Sequence, residues 1–186
     1  MTFAPTPAVA LPRGDGAPDA PVCDPDSPFP DNAPRLAGAV VSMVHTGTDH
    51  PQRGDVETFI ARIYRERHNA RLASFLPHLL AWRDASGALQ AVAGLRAGRE
   101  GALFVEQYLD LPAEAAVAAV ARVPVTRDHV VEVGNFAAAG AGEARALILR
   151  LTLYLHAAGF RWVLFAATRQ LRNAFDRMHL QTVELA

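Results

Sequence analysis

The stretch Val130-Val131-Glu132-Val133-Gly134-Asn135-Phe136, followed by Ala137-Ala138-Ala139-Gly140-Ala141-Gly142, decides how the chain is read. The first part is an apolar run of strand length, and the second is a small-residue turn. Helical periodicity continues from Glu143 to Ala158, and a second apolar run, Trp162-Val163-Leu164-Phe165, comes after it. Strand, glycine turn, helix and strand make a βαβ unit, whose two strands lie parallel and buried. Gly140 and Gly142 stand where the turn meets the helix. Backbone N–H groups at such a place can cradle a pyrophosphate without side-chain help. A plain tight turn explains the same glycines.

Working outward, Leu147, Leu151, Tyr154 and Leu155 fall on one helical face, and Gly159 sits where a left-handed cap is wanted. A last helix is predicted from Arg169 to His179, burying Leu171, Phe175 and Met178, with a closing strand over Gln181–Leu185. Upstream, Leu36–Val44 reads as the first strand and His45–Pro51 as a loop. Asp55 can cap a helix over Val56–Ala70 whose stripe is Phe59, Ile60, Ile63 and Tyr64. His78–Arg83 and Leu89–Arg96 form two strands joined by Asp84-Ala85-Ser86-Gly87. Ala102–Tyr108 is predicted as a short strand, and Leu111-Pro112-Ala113-Glu114 starts a helix. Residues 1–35 are rich in Pro, Asp, Ala and Gly, which predicts a tail that is disordered or draped over a domain at 36–186.

At 186 residues the chain can bury a two-layer core. Its 18 basic residues, all arginine, are balanced by 19 acidic ones, which speaks against a nucleic-acid partner. A single cysteine, Cys23, excludes an intrachain disulfide. The N-terminus lacks a basic region followed by an apolar run, so a cytoplasmic protein is expected. No apolar stretch approaches the ~20 residues of a membrane-spanning helix.

Glu132 stands between Val131 and Val133 in a strand expected to be central, where an ionised carboxylate is costly unless paired. Burial raises its pKa, which suits a general base; a structural carboxylate paired with Arg96 or with backbone groups is the other reading. Arg96, ending Val92-Ala93-Gly94-Leu95-Arg96, fits either a bidentate contact to a substrate carbonyl or an exposed edge charge. Glu106 and Tyr108 alternate with apolar residues and can face a cleft. Gly134 and Asn135 suit a bulge or splay, whose backbone N–H can meet an oxyanion. The histidines show no metal-ligand spacing, so no metal is expected.

Three groups of segments resemble the thermostable hemolysin family of bacterial proteins. They are Val131–Ala137; Gly159–Thr168 with Leu171-Arg172-Asn173-Ala174-Phe175; and the upstream pieces Phe75–Leu80, Gly94-Leu95-Arg96 and Leu103–Asp110. That family is in turn similar to the acyl-homoserine-lactone autoinducer synthases. The resemblance implies an α/β (α+β) GNAT-type N-acyltransferase fold, a mixed and mainly antiparallel sheet flanked by helices. It implies a CoA or acyl-carrier-protein thioester as co-substrate and a small amine or similar acceptor. Catalytic roles then fall to Glu132, Arg96 and Asn135. Thioester contacts fall to Gly134, Phe136, Ala137, Gly140, Ala141, Gly142, Glu143, Ala144, Arg145, Asn173 and Phe175. The synthases carry Glu-x-Ser-Arg-Phe where this chain has Glu132-Val133-Gly134-Asn135-Phe136, so the acceptor end differs. Acyltransferases of this fold carry a Gln or Arg where Ala137 stands and a proton-donating tyrosine where Phe175 stands. The fold normally ends with one more strand, which a second subunit of a homodimer or the N-terminal tail can supply. A non-catalytic lipid-binding or membrane-perturbing module on the same fold is the competing implication.

Overall fold

The computed structural model describes residues 6–10, 29, 40–167, 169–178 and 180–185. Its strands are β1 (Thr6–Ala10), β2 (Val40–Thr46), β3 (His78–Asp84), β4 (Leu89–Ala97), β5 (Val130–Ala138) and β6 (Trp162–Ala167). Its helices are α1 (Arg53–His68), α2 (Ala113–Ala121), α3 (Ala141–Ala157) and α4 (Arg169–Arg177). The strand order is β1-β6-β5-β4-β3-β2, a mixed α/β sheet in which β5 and β6 are parallel. β1·β6, β2·β3 and β3·β4 are antiparallel. The predicted βαβ core is therefore present.

The chain divides into two compact units. The first is Met1–Ala20, Arg96–Val133 and Gly159–Ala186. β5 and β6 pair there from Val130↔Trp162 to Glu132↔Leu164, and β1 lies on β6 from Thr6↔Ala167 to Ala10↔Trp162. Leu103, Val105, Ala113, Val117, Val130 and Leu164 form its apolar centre, with Trp162 and Leu185 packed against them. Pro112 precedes the first residue of α2, where its missing N–H costs nothing.

The second unit is Pro21–Leu95 and Gly134–Ala158. Its hairpin is set by local chemistry. Asp84 Oδ1 accepts the N–H of Ser86 (2.9 Å) and of Ala88 (3.0 Å), and Gly87 takes φ 83°, a left-handed value that favours glycine. Val56, Phe59, Ile60 and Ile63 come from one face of α1 and pack on Leu79, Ala81, Val92 and Ala137. Arg53, in the first turn of α1, donates to the carbonyls of Leu76 (2.9 Å) and Pro77 (2.7 Å).

Several expectations are corrected. Ala102–Tyr108 is not a strand; Phe104–Tyr108 is a 3-10 turn, because carboxylates rather than a neighbouring strand take its amides. Gln181–Leu185 carries no strand. The place beside β6 holds β1, so the N-terminal segment supplies a strand there, one of the two sources the sequence offered. Asp55 does not cap α1: Gln52 is the cap residue, and Asp55 lies in the first turn. Cys23 and His179 lie outside the described residues.

Candidate functional site

In the first unit, burial of Val130, Val131 and Val133 carries Glu132 inward with them, to 2% exposure. Its carboxylate accepts the N–H of Phe104 through Oε2 and that of Val105 through Oε1, each at 2.9 Å. These are amides at the start of the 3-10 turn, which lack partners within it. Burial pushes the Glu132 carboxyl above its ordinary value, and the two N–H groups and the positive field of Arg96 oppose that. Arg96 itself donates to the Ala102 carbonyl at 3.0 Å. Both Glu132 oxygens thus accept backbone N–H groups.

Glu106 does not face a cleft. It accepts the N–H of Leu103 (2.8 Å) and of Ala113 (2.9 Å), tying the 3-10 turn to the start of α2. Arg127 donates to both of its oxygens (2.7 and 2.9 Å), to Glu114 (2.6 Å), and to the carbonyls of Gly98 (2.7 Å) and Gly101 (2.6 Å). The Arg127 hydrogen bonds hold the Glu106 carboxyl at about 2, against an ordinary 4.5. A depressed carboxyl takes up its proton first in the unfolded chain. Its stabilising share is therefore complete above 4.5 and is lost as pH falls toward about 2. Denaturation midpoints measured across that window should fall with acidification, and Glu106→Gln should flatten this part of the decline. Sequence reasoning missed Arg127, whose partners are all remote in the chain. Further along the unit, Phe175 packs on Phe165 with ring centroids 4.9 Å apart, and Asn173 is exposed.

In the second unit, β5 breaks stride at Asn135, which takes φ 48°. Its side chain explains how a non-glycine residue stays there: Oδ1 accepts the Leu76 N–H at 2.8 Å and Nδ2 donates to the Ser74 carbonyl at 3.4 Å. Gly94 makes room for it, since a Cβ at residue 94 would stand 2.7 Å from Asn135 Oδ1. Through its side chain Asn135 therefore fastens the 74–76 segment to β5.

Past Asn135, Phe136 is half-buried and Ala137 and Ala138 are buried, and the Ala139 N–H donates to the Gln90 carbonyl at 2.8 Å. Arg67 of α1 donates to the Ala139 carbonyl. Gly140 then caps α3 in extended conformation (φ −146°, ψ 178°) with no side-chain hydrogen bond. The first bond of this turn runs from Ala144 N–H to the Gly140 carbonyl at 3.1 Å. The amides of Ala141, Gly142 and Glu143 precede it and lack an intrahelical acceptor, as helix geometry requires. Arg145 is exposed one turn in, and Glu143 lays its carboxylate beside Gly140.

So the expected residues fall into two sets: Glu132, Arg96, Asn173 and Phe175 in the first unit, and Asn135, Gly134, Phe136, Ala137 and residues 140–145 in the second. Among the described residues no group of three His, Cys, Asp or Glu side chains can hold a metal ion, and no helix is long and apolar enough to cross a membrane.

The thermostable hemolysin family matches residues 46–186. No curated protein matches the chain. Two solved structures of TofI are similar to it at 18% identity. One is a ternary complex with an inhibitor and MTA, with TM-score 0.51 over 74% of this chain and 78% of that one. The other is an apo form, with TM-score 0.52 over 74% and 77%. The shared architecture is an autoinducer synthase-like, GNAT-type fold.

Proposed function

From the premise that the chain belongs to the thermostable hemolysin family, we propose that it transfers an acyl group from a CoA or acyl-carrier-protein thioester to a small amine or similar acceptor. The observation that carries this reading is the segment from Asn135 to Arg145. A strand interrupted by a left-handed residue runs through a small-residue turn into a helix whose first amides, at Ala141, Gly142 and Glu143, have no intrahelical acceptor. An anion at that point would meet aligned N–H groups and the positive end of the α3 dipole. Arg145 adds a positive charge that Ala137 does not. The likeness to TofI, a structure solved with an inhibitor and MTA, supports a small-molecule site on this architecture.

Ala141→Pro tests the phosphate end. Residue 140 is already extended, the conformation a following proline requires, and the first helical position tolerates proline. The fold should survive while one donor disappears. Affinity for octanoyl-CoA, measured by calorimetry, should fall about tenfold or more, the worth of a hydrogen bond to a charged group. Unchanged affinity with an intact fold would remove this segment from the site, and no binding of CoA thioesters to the wild type would remove the reading itself.

A second reading, a lipid-binding or membrane-perturbing module, is favoured by one feature: Leu149 and Leu153, one turn apart on α3, are 51% and 45% exposed. Erythrocyte lysis that persists in Ala141→Pro and stops in Leu149→Ser/Leu153→Ser would select it.

A further inference from the structure

His45 of β2 and His78 of β3 lie 33 residues apart in the chain, and the sheet of the second unit brings them together. His45 stands opposite Leu80, so His78 is its diagonal neighbour on the same face. Leu79 points the other way, into the core under α1. His45 Nε2 and His78 Nδ1 are 3.0 Å apart, a hydrogen bond in which one ring donates its N–H to the other. These nitrogens account for 3.0 of the 5.1 Å between the ring centroids, and the ring planes differ by 26°. The remainder is close to two ring radii laid end to end, so the rings meet nearly head-on. Phe29, 1% exposed, lies against both, its centroid 4.9 Å from that of His78 and 6.0 Å from that of His45. Tyr154, fully buried, lies nearly parallel to Phe29 at 6.4 Å. The imidazoles themselves are half-buried, which leaves them a path to solvent.

We propose that this pair is a binding site for a monovalent soft cation, Cu(I), held in line between the two imidazole nitrogens and independent of the acyl transfer proposed above. Imidazole is a copper ligand, and Cu(I), with its filled d shell, accepts two donors on a straight line. Each lone pair of the head-on rings already aims along that line. A metal–imidazole bond is about 2.0 Å, so the nitrogens must move from 3.0 Å apart to about 4 Å. Small rotations about the side-chain bonds, whose outer torsional wells are broad, supply that. An ion bonded to both nitrogens at their present separation would instead lie to one side of both lone pairs. Zn(II) fits less well. It takes four donors in a tetrahedron, and among the described residues no third His, Cys, Asp or Glu joins this pair. Charge decides in the same direction. The cost of bringing an ion against the Phe29 wall grows with the square of its charge, so it is roughly fourfold larger for a divalent ion. A neutral pair need release no proton: the ring that donated N–H carries that hydrogen on its other nitrogen once copper takes its place.

The test uses the full chain carrying Cys23→Ser, so that a thiol does not compete for the ion, with Cu(I) titrated anaerobically against the chromogenic chelator bicinchoninate. One Cu(I) per chain should bind, and X-ray absorption at the copper edge should show two nitrogen neighbours on a straight line. An equal amount of Zn(II) should fail to displace it. His45→Gln and His78→Gln, each added to that chain, should weaken binding more than about 100-fold, because even a contact to the far side of a metal ligand is worth about 10–100-fold. No Cu(I) bound by the Cys23→Ser chain, a copper with sulfur or four neighbours, displacement by Zn(II), or unchanged affinity in either histidine variant would each overturn the proposal. The absorption result is read on a chain that keeps both histidines, so it decides the matter whether or not either variant folds.

Discussion

Replacing Arg127 by methionine is expected to lower stability by about 3 kcal/mol, more than any other exposed or half-buried substitution considered. A shift of that size in a chain of this length corresponds to a melting temperature lower by about 6–12 °C. One guanidinium serves both Glu106 oxygens, Glu114 and the carbonyls of Gly98 and Gly101, so five acceptor atoms lose a donor at once. Glu106 and Glu114 are then left without the cation between them. The side chain is 26% exposed, and water reaching the vacated acceptors keeps the cost below that of a fully buried pair. Arg127→Lys should recover less than half, because a point charge cannot reproduce a planar fork of donors. A melting temperature for Arg127→Met within 2 °C or so of wild type would show that the network is incidental.

The second expectation concerns Glu132. Gln at this position keeps one acceptor for the amides of Phe104 and Val105, and turns an –NH2 group toward the other. The mismatch should cost about 1–3 kcal/mol. Turnover per folded molecule should be unimpaired, since both oxygens face backbone amides. A loss of about 100-fold in rate at unchanged stability would instead restore the general-base role. The pH dependence gives a further check. A carboxyl raised on folding makes the native state bind the proton more tightly, so this group's contribution is most favourable below the unfolded value. It declines as pH climbs through the folded one. That slope runs opposite to the Glu106 contribution, and Glu132→Gln should abolish it.

The legibility of the chain follows the range of the forces involved. β5, α3 and β6 were readable because their periodicity and the turn between them are local. The hairpin of β3 and β4 was readable because Asp84 and Gly87 set it within a few residues. Phe104–Tyr108 was misread because its amides are taken by Glu132, far along the chain, and no local pattern encodes that. Arg127 escaped notice for the same reason: its partners all lie far along the chain. Glu132 was recognised as buried, with backbone groups among its expected partners, but which amides they are was not legible. The glycines at 140 and 142 marked the approach to α3, which starts at Ala141 rather than at the expected Glu143, while Asn135 was noticed for its place in the strand and not for its hold on residues 74–76.

The pairing of Thr6–Ala10 with Trp162–Ala167 carries a consequence for the order in which the molecule is assembled. On the ribosome Thr6–Ala10 emerges before its partner exists. That partner strand, Trp162–Ala167, follows far along the chain. Closing so long a loop yields no contact until the two ends meet, and high contact order slows folding. β1 is therefore expected to dock after the rest of the sheet has formed, as a slow phase whose amplitude vanishes when residues 1–10 are removed. Until that moment the edge of β6 presents unpaired backbone groups to any other nascent chain, and this is the interval in which the protein is most exposed to misassembly.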